Sequence, residues 1–230
     1  MPGGDSSVMR TGFLIGAWLA LLACAGALRG AEPARASEAS ERSFASLIRG
    51  DSLEGWRGDF HGKSVENGVL EWTDGGHLWT AKEYGDFVLR FEFMLSEGAN
   101  NGLAIRWPGQ GDPAYTGMCE LQILDNEAPV YQAMDLDPRQ YHGSAYGMAA
   151  AQRGFLKPTG EWNSQEVVVV GSRIQVTLNG TVILDVDLSE IDEYMDDKPH
   201  PGKDRTKGHL GFAGHGEHHL KFRKLLIREL

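Results

Sequence analysis

From Phe44 onward, apolar and polar side chains alternate with a period of two, the pattern of strands that bury one face. Asp86–Leu95 shows it best: Phe87, Leu89, Phe91 and Phe93 interleave with Val88, Arg90, Glu92 and Met94. Val167–Val170 and Ile174–Leu178 flank Gly171-Ser172, and Leu178 leads through Asn179-Gly180 into Thr181–Val186. Asn-Gly between such runs predicts a tight hairpin, because both central residues of the turn need positive φ. Three successive antiparallel strands follow from that. Gly68 closes another hairpin, between Ser64–Glu66 and Val69–Thr73, and further strands are predicted at Leu103–Trp107, Met118–Leu124, Leu210–Ala213 and Leu220–Ile227. Only Leu188–Met195 has room for a short helix. Many short strands, Gly-rich turns and no strand–helix–strand spacing predict one all-β sandwich over residues 44–230.

The first 43 residues break this pattern. Arg10 precedes an apolar run over residues 11–27 that ends in Ala25-Gly26-Ala27, so residues 1–28 read as an export signal. The run falls short of the ~20 apolar residues of a spanning helix. Leu21-Leu22-Ala23-Cys24 offers an alternative, a lipobox whose lipid at Cys24 would be the one membrane contact. Residues 29–43 are small, polar and charged and read as a flexible tether. The expected location is outside the cytoplasm, either periplasmic or secreted, or on the outer membrane if Cys24 is lipidated. Cleavage after Ala27 leaves Cys119 as the sole thiol, with no internal disulfide to form. Its apolar surroundings suit a small buried hydrophobe.

Composition narrows the picture. A chain of 230 residues with 41% hydrophobic content has one domain's worth of core. Its 30 glycines follow no repeat, which marks them as turn residues. A net charge of −10, from 22 basic and 32 acidic side chains without a basic cluster, excludes a nucleic-acid partner.

Candidate chemistry gathers in a few segments. In Glu120-Leu121-Gln122-Ile123-Leu124-Asp125, period two puts Glu120 and Gln122 on one face and Leu121 and Ile123 on the other. Such a polar face suits a hydroxyl-rich ligand or plain solvent, and both readings stand. A retaining glycosidase would need two carboxylates about 5 Å apart, and Gln122 occupies the second position. In Asn100-Asn101-Gly102-Leu103-Ala104-Ile105-Arg106, Ala104 and Arg106 share a face, which would aim Arg106 toward Glu120 if the strands are neighbours. Gln140–Gly147 combines Tyr141, His142 and Tyr146 with glycines, as sugar-facing loops do. His215-Gly216-Glu217-His218-His219 lacks metal-ligand spacing, although His215 titrates in the right range for an acid. Trp72, Trp79, Trp107 and Trp162 could stack on sugars or fill the core.

Several stretches together resemble the 3-keto-disaccharide hydrolase domain family. They are Leu53-Glu54-Gly55-Trp56, residues 78–87, Asn101-Gly102 with Arg106, Tyr115-Thr116-Gly117, residues 120–125, Gly160-Glu161-Trp162-Asn163, Leu178-Asn179-Gly180 and His215-Gly216. Order and spacing hold over roughly residues 45–230. Two stretches depart from the family pattern, Phe212-Ala213 ahead of Gly214-His215-Gly216 and Lys224-Leu225 after Phe222-Arg223. The resemblance implies a concanavalin A-like jelly roll and a small carbohydrate substrate already oxidised at C3. It implies 3-keto-glucoside 1,2-lyase and hydratase chemistry: abstraction of the C2 proton, β-elimination at C1, then addition of water. On that basis Glu120 is expected as base, Arg106 as enolate stabiliser, alone or with a divalent cation, and His215 or His142 as acid. Gln122, Asn101, Asp125, Tyr146 and Trp79 are expected to hold the sugar. No cofactor is otherwise implied, and a non-catalytic carbohydrate-binding module is the alternative on the same fold.

Overall fold

A computed structural model describes residues 44–216 and 218–230. The expected leader, Cys24 and the tether over 29–43 lie outside the described residues. Two antiparallel sheets face each other in a jelly-roll sandwich. The larger runs β11 (Thr181–Asp187), β10 (Arg173–Leu178), β9 (Asn163–Val170), β6 (Phe87–Leu95), β13 (Leu220–Glu229), β4 (Val69–Trp72), β3 (Lys63–Glu66), with β1 (Ala45–Ser46) added to β13. The smaller runs β2 (Trp56–Gly58), β5 (Gly76–Tyr84), β12 (Gly208–Gly214), β7 (Asn100–Trp107), β8 (Cys119–Leu124).

The alternation does what it predicts. Phe87, Leu89, Phe91 and Phe93 all point into the core, where Phe91 meets Phe212 and Phe222 of the strands around it. The predicted β9–β10–β11 meander forms, and Asn179 and Gly180 take φ of 50° and 88° at its turn. Asn67 and Gly68 do the same between β3 and β4. The segment with room for a helix, Leu188–Met195, instead carries 3₁₀ turns at Leu188–Glu190 and Met195–Asp197. Two single-turn helices, α1 (Pro113–Thr116) and α2 (Pro129–Gln132), flank β8.

One irregularity decides the site. On β12 His209 lies opposite Trp107 and Gly211 opposite Ala104, so two steps on β12 match three on β7. The extra residue is a bulge that inverts the side-chain parity of β7. Before it, Leu103 and Ile105 face the core. At it, Arg106 takes φ of 50°, and beyond it Trp107 packs against His77 and Trp79 of β5.

Candidate active site

The outward face of the smaller sheet carries a pocket of about 280 Å³ at its β8 edge. Asn100, Asp112, Ala114, Tyr115, Glu120, Gln122, Tyr146, Lys198 and His215 line it. Glu120 and Gln122 stand on one face of β8 while Leu121 and Ile123 enter the core, as their spacing predicts. The Glu120 side chain leans across β7 above Gly102, where any Cβ would collide with its carboxylate. Glu120 is only 3% exposed, and its Oε1 has no hydrogen-bond partner. His215 Nε2 lies 3.5 Å from that oxygen, at ion-pair range. The Glu120 carboxylate raises the His215 pKa above the ordinary 6.5, outweighing the opposite effect of burial. A buried carboxylate and an imidazole that it biases toward the charged form thus line one cavity.

The walls come from three loops. Residues 143–146 attach to the free edge of β8 through Gly143 N to Gln122 O at 2.8 Å, Gln122 N to Ser144 O at 3.0 Å and Tyr146 N to Glu120 O at 2.9 Å. That brings Tyr146 beside Glu120. Asp112 caps α1 by accepting from Ala114 N at 3.0 Å. The third wall carries Lys198, whose Nζ sits 3.4 Å from the Tyr115 ring centre. Asp196 and Asp197 before it both adopt left-handed φ, 54° and 51°. His200 after it bonds Ala114 O through Nδ1 at 2.8 Å and packs between Tyr115 and Tyr194. Gln122 Nε2 donates to Asn100 Oδ1 at 3.1 Å, which sets the amide's orientation.

The structure thus brings together Glu120, Gln122, Tyr146 and His215 and leaves five expected site residues elsewhere. Arg106 is 1% exposed because the bulge turns it away from the Glu120 face. Its guanidinium is used up by Asp86 Oδ1 at 2.8 Å and by the carbonyls of Gly85, Gly171 and Arg205. His142 lies in the core, stacked on Phe93, with Nε2 3.0 Å from Gln165 Oε1, and burial lowers its pKa to about 4. Asn101 shares the core-facing side of β7 and bonds Gly102 N through Oδ1. Asp125 accepts from Gly98 N at 3.0 Å and from the Thr159 hydroxyl, tying loops together at the end of β8. Trp79 lines a separate groove with His77 and Trp107. The sequence reading missed Asn100, Asp112, Tyr115 and Lys198. Period two already placed Asn100, not Asn101, with Gly102, whereas no periodicity marks loop residues such as Asp112 and Lys198.

Among the described residues no group of three or more His, Cys, Asp or Glu could hold a metal ion.

The sequence model of the 3-keto-alpha-glucoside-1,2-lyase-like domain matches residues 43–228. The chain belongs to that family. It is 24% identical to a 3-keto-disaccharide hydrolase of Bacteroides thetaiotaomicron, over 81% of this chain and 78% of that protein. A crystal structure from Parabacteroides distasonis, provisionally named a glycosyl hydrolase, superposes with a TM-score of 0.73 at 28% identity, covering 81% of this chain and 99% of that one. A second from the same organism gives 0.72 at 23% identity, over 84% and 96% of the two chains, and shares the fold.

Proposed function

We propose that this family member cleaves the glycosidic bond of 3-keto-glucosides by elimination. The observation that carries the reading is the buried Glu120 carboxylate, which lines a polar pocket with His215 Nε2 3.5 Å from its Oε1. A ketone at C3 acidifies the C2 proton, so one positioned base suffices, and no second carboxylate is needed on β8. Glu120 takes the C2 proton. The C–H electrons form the C1–C2 double bond, and the C1–O pair leaves on the departing oxygen, which receives a proton from His215. Negative charge passes through the C3 oxygen on the way, and the Lys198 ammonium, which lines the same pocket, takes the stabilising role expected of Arg106. Gln122, Asn100 and Tyr146 orient hydroxyls. Water adding to the resulting enone, with the two groups reversing roles, completes a net hydrolysis.

The test is incubation with a 3-keto-glucoside, following alcohol release and enone absorbance together. Glu120→Gln is expected to lower the rate by about 10²–10⁴-fold, the usual worth of a general base. Wild-type binding without any release would leave a carbohydrate-binding module and overturn the enzyme reading.

A further inference from the structure

Along the outward face of β8, Glu120, Gln122 and Leu124 stand at every second position, and the chemistry passes from carboxylate to amide to hydrocarbon. The row spans about 13 Å, longer than one sugar ring. Past Gln122 the cleft continues into a hollow of about 400 Å³ walled by Leu124, Val130, Tyr131, Met134 and Leu136. Asn100, Gln122 and Tyr146 line both parts, so this is one cleft with a polar and an apolar end. At the apolar end Val130 and Met134 are 48% and 49% exposed and share one hollow, so they form a contiguous apolar surface beside the polar pocket. The wall itself is fixed. Leu124, Ala128 and Tyr131 pack as a cluster apart from the main core, and the Tyr131 hydroxyl donates to Gly98 O at 3.0 Å.

Of the polar side chains bordering this end, Gln140 is already engaged, and His218 also lines it. Gln140 Oε1 accepts from Asp137 N, and its Nε2 donates to the Tyr146 hydroxyl. A second sugar placed here would give up water around its hydroxyls for few partners, which costs affinity. A flat apolar group would cover Val130 and Met134 and gain from their burial. Resting on the reading of Glu120 as the base of a glycoside-cleaving site, we propose that this hollow receives the leaving group. The substrates it favours carry an aromatic or similarly flat apolar aglycone in place of a second sugar.

Phenoxide is also an intrinsically better leaving group than a sugar alkoxide, so the deciding quantity is a ratio compared between proteins. The full chain and its Val130→Asp/Met134→Asp variant are assayed on phenyl, methyl and glucosyl 3-keto-glucosides. Val182→Asp, at an exposed valine of β11, is the matched surface control. The double variant is expected to lower the phenyl-to-methyl ratio of kcat/KM about tenfold or more, the usual worth of apolar subsite contacts. The glucosyl-to-methyl ratio and both ratios in Val182→Asp are expected to hold. An unchanged phenyl-to-methyl ratio, or an equal fall in the glucosyl ratio, overturns the proposal. Calorimetric titration with unoxidised phenyl and methyl glucosides separates this outcome from failure of the catalytic reading. Tighter phenyl binding that the double variant abolishes supports the subsite even where no 3-keto-glycoside is cleaved, and equal affinity of the two glucosides overturns it.

Discussion

Gly102 shows how a single residue defines the site. Its missing Cβ is the space that the Glu120 carboxylate fills, so Gly102→Ala must push the base out of position. Displacement of a catalytic group by about 1 Å commonly costs about 100-fold, and a loss of that size is expected in kcat with the far-ultraviolet spectrum preserved. His215 sets the other half of the chemistry. Its pKa is raised by Glu120, and the acid role needs the protonated ring, so activity should persist through the ordinary imidazole value of 6.5 and fall at higher pH. A pH–rate profile of His215→Asn is expected to lack that alkaline limb while retaining residual turnover. Spacing alone made Glu120 and Gln122 legible, because a two-residue period needs no knowledge of neighbours. The 3.5 Å approach of His215 was not legible, since it depends on where β12 ends relative to β8.

At the level of elements, the bulge in β7 explains both a success and a failure of sequence reasoning. Strands and hairpins follow from local alternation and Asn-Gly turns, and these were readable. A bulge adds one residue to one strand, and every later assignment of faces inverts. Arg106 was assigned to the face of Ala104 for that reason, yet it closes the sheet's far end by binding Asp86 and three backbone carbonyls. Its removal leaves the carbonyls of Gly85, Gly171 and Arg205 without their donor, at about 1–3 kcal/mol for each acceptor left buried. Arg106→Met is therefore expected to lower the denaturation midpoint strongly, while kcat of the folded fraction stays near wild type. A large fall in kcat with unchanged stability would return Arg106 to the chemistry. The walls that carry Asp112, Tyr115 and Lys198 were not readable, because loops with no repeat are positioned only by contacts such as His200 to Ala114 O.

For the molecule as a whole, acid is the vulnerable direction. His142 is neutral in the core with a pKa near 4, whereas an unfolded chain would protonate it near 6.5. Between those values the unfolded state binds more protons, so stability falls as pH falls, by about 3 kcal/mol over the full window. Denaturation curves from pH 7 to 4 are expected to show that loss, with a flatter dependence in His142→Leu. Cys119 is a free, fully buried thiol, and burial pushes its pKa far above the usual range. The loop that builds the Tyr146 wall also has an effect beyond the pocket. By bonding to Gln122 and Glu120 main-chain groups, residues 143–146 occupy the outer rim of β8, which would otherwise be an open edge of the sheet. A foreign strand cannot be recruited there. The strand that bears the base is sealed against edge-to-edge polymerisation, and in this sheet such growth is left to β2, four strands away from the chemistry.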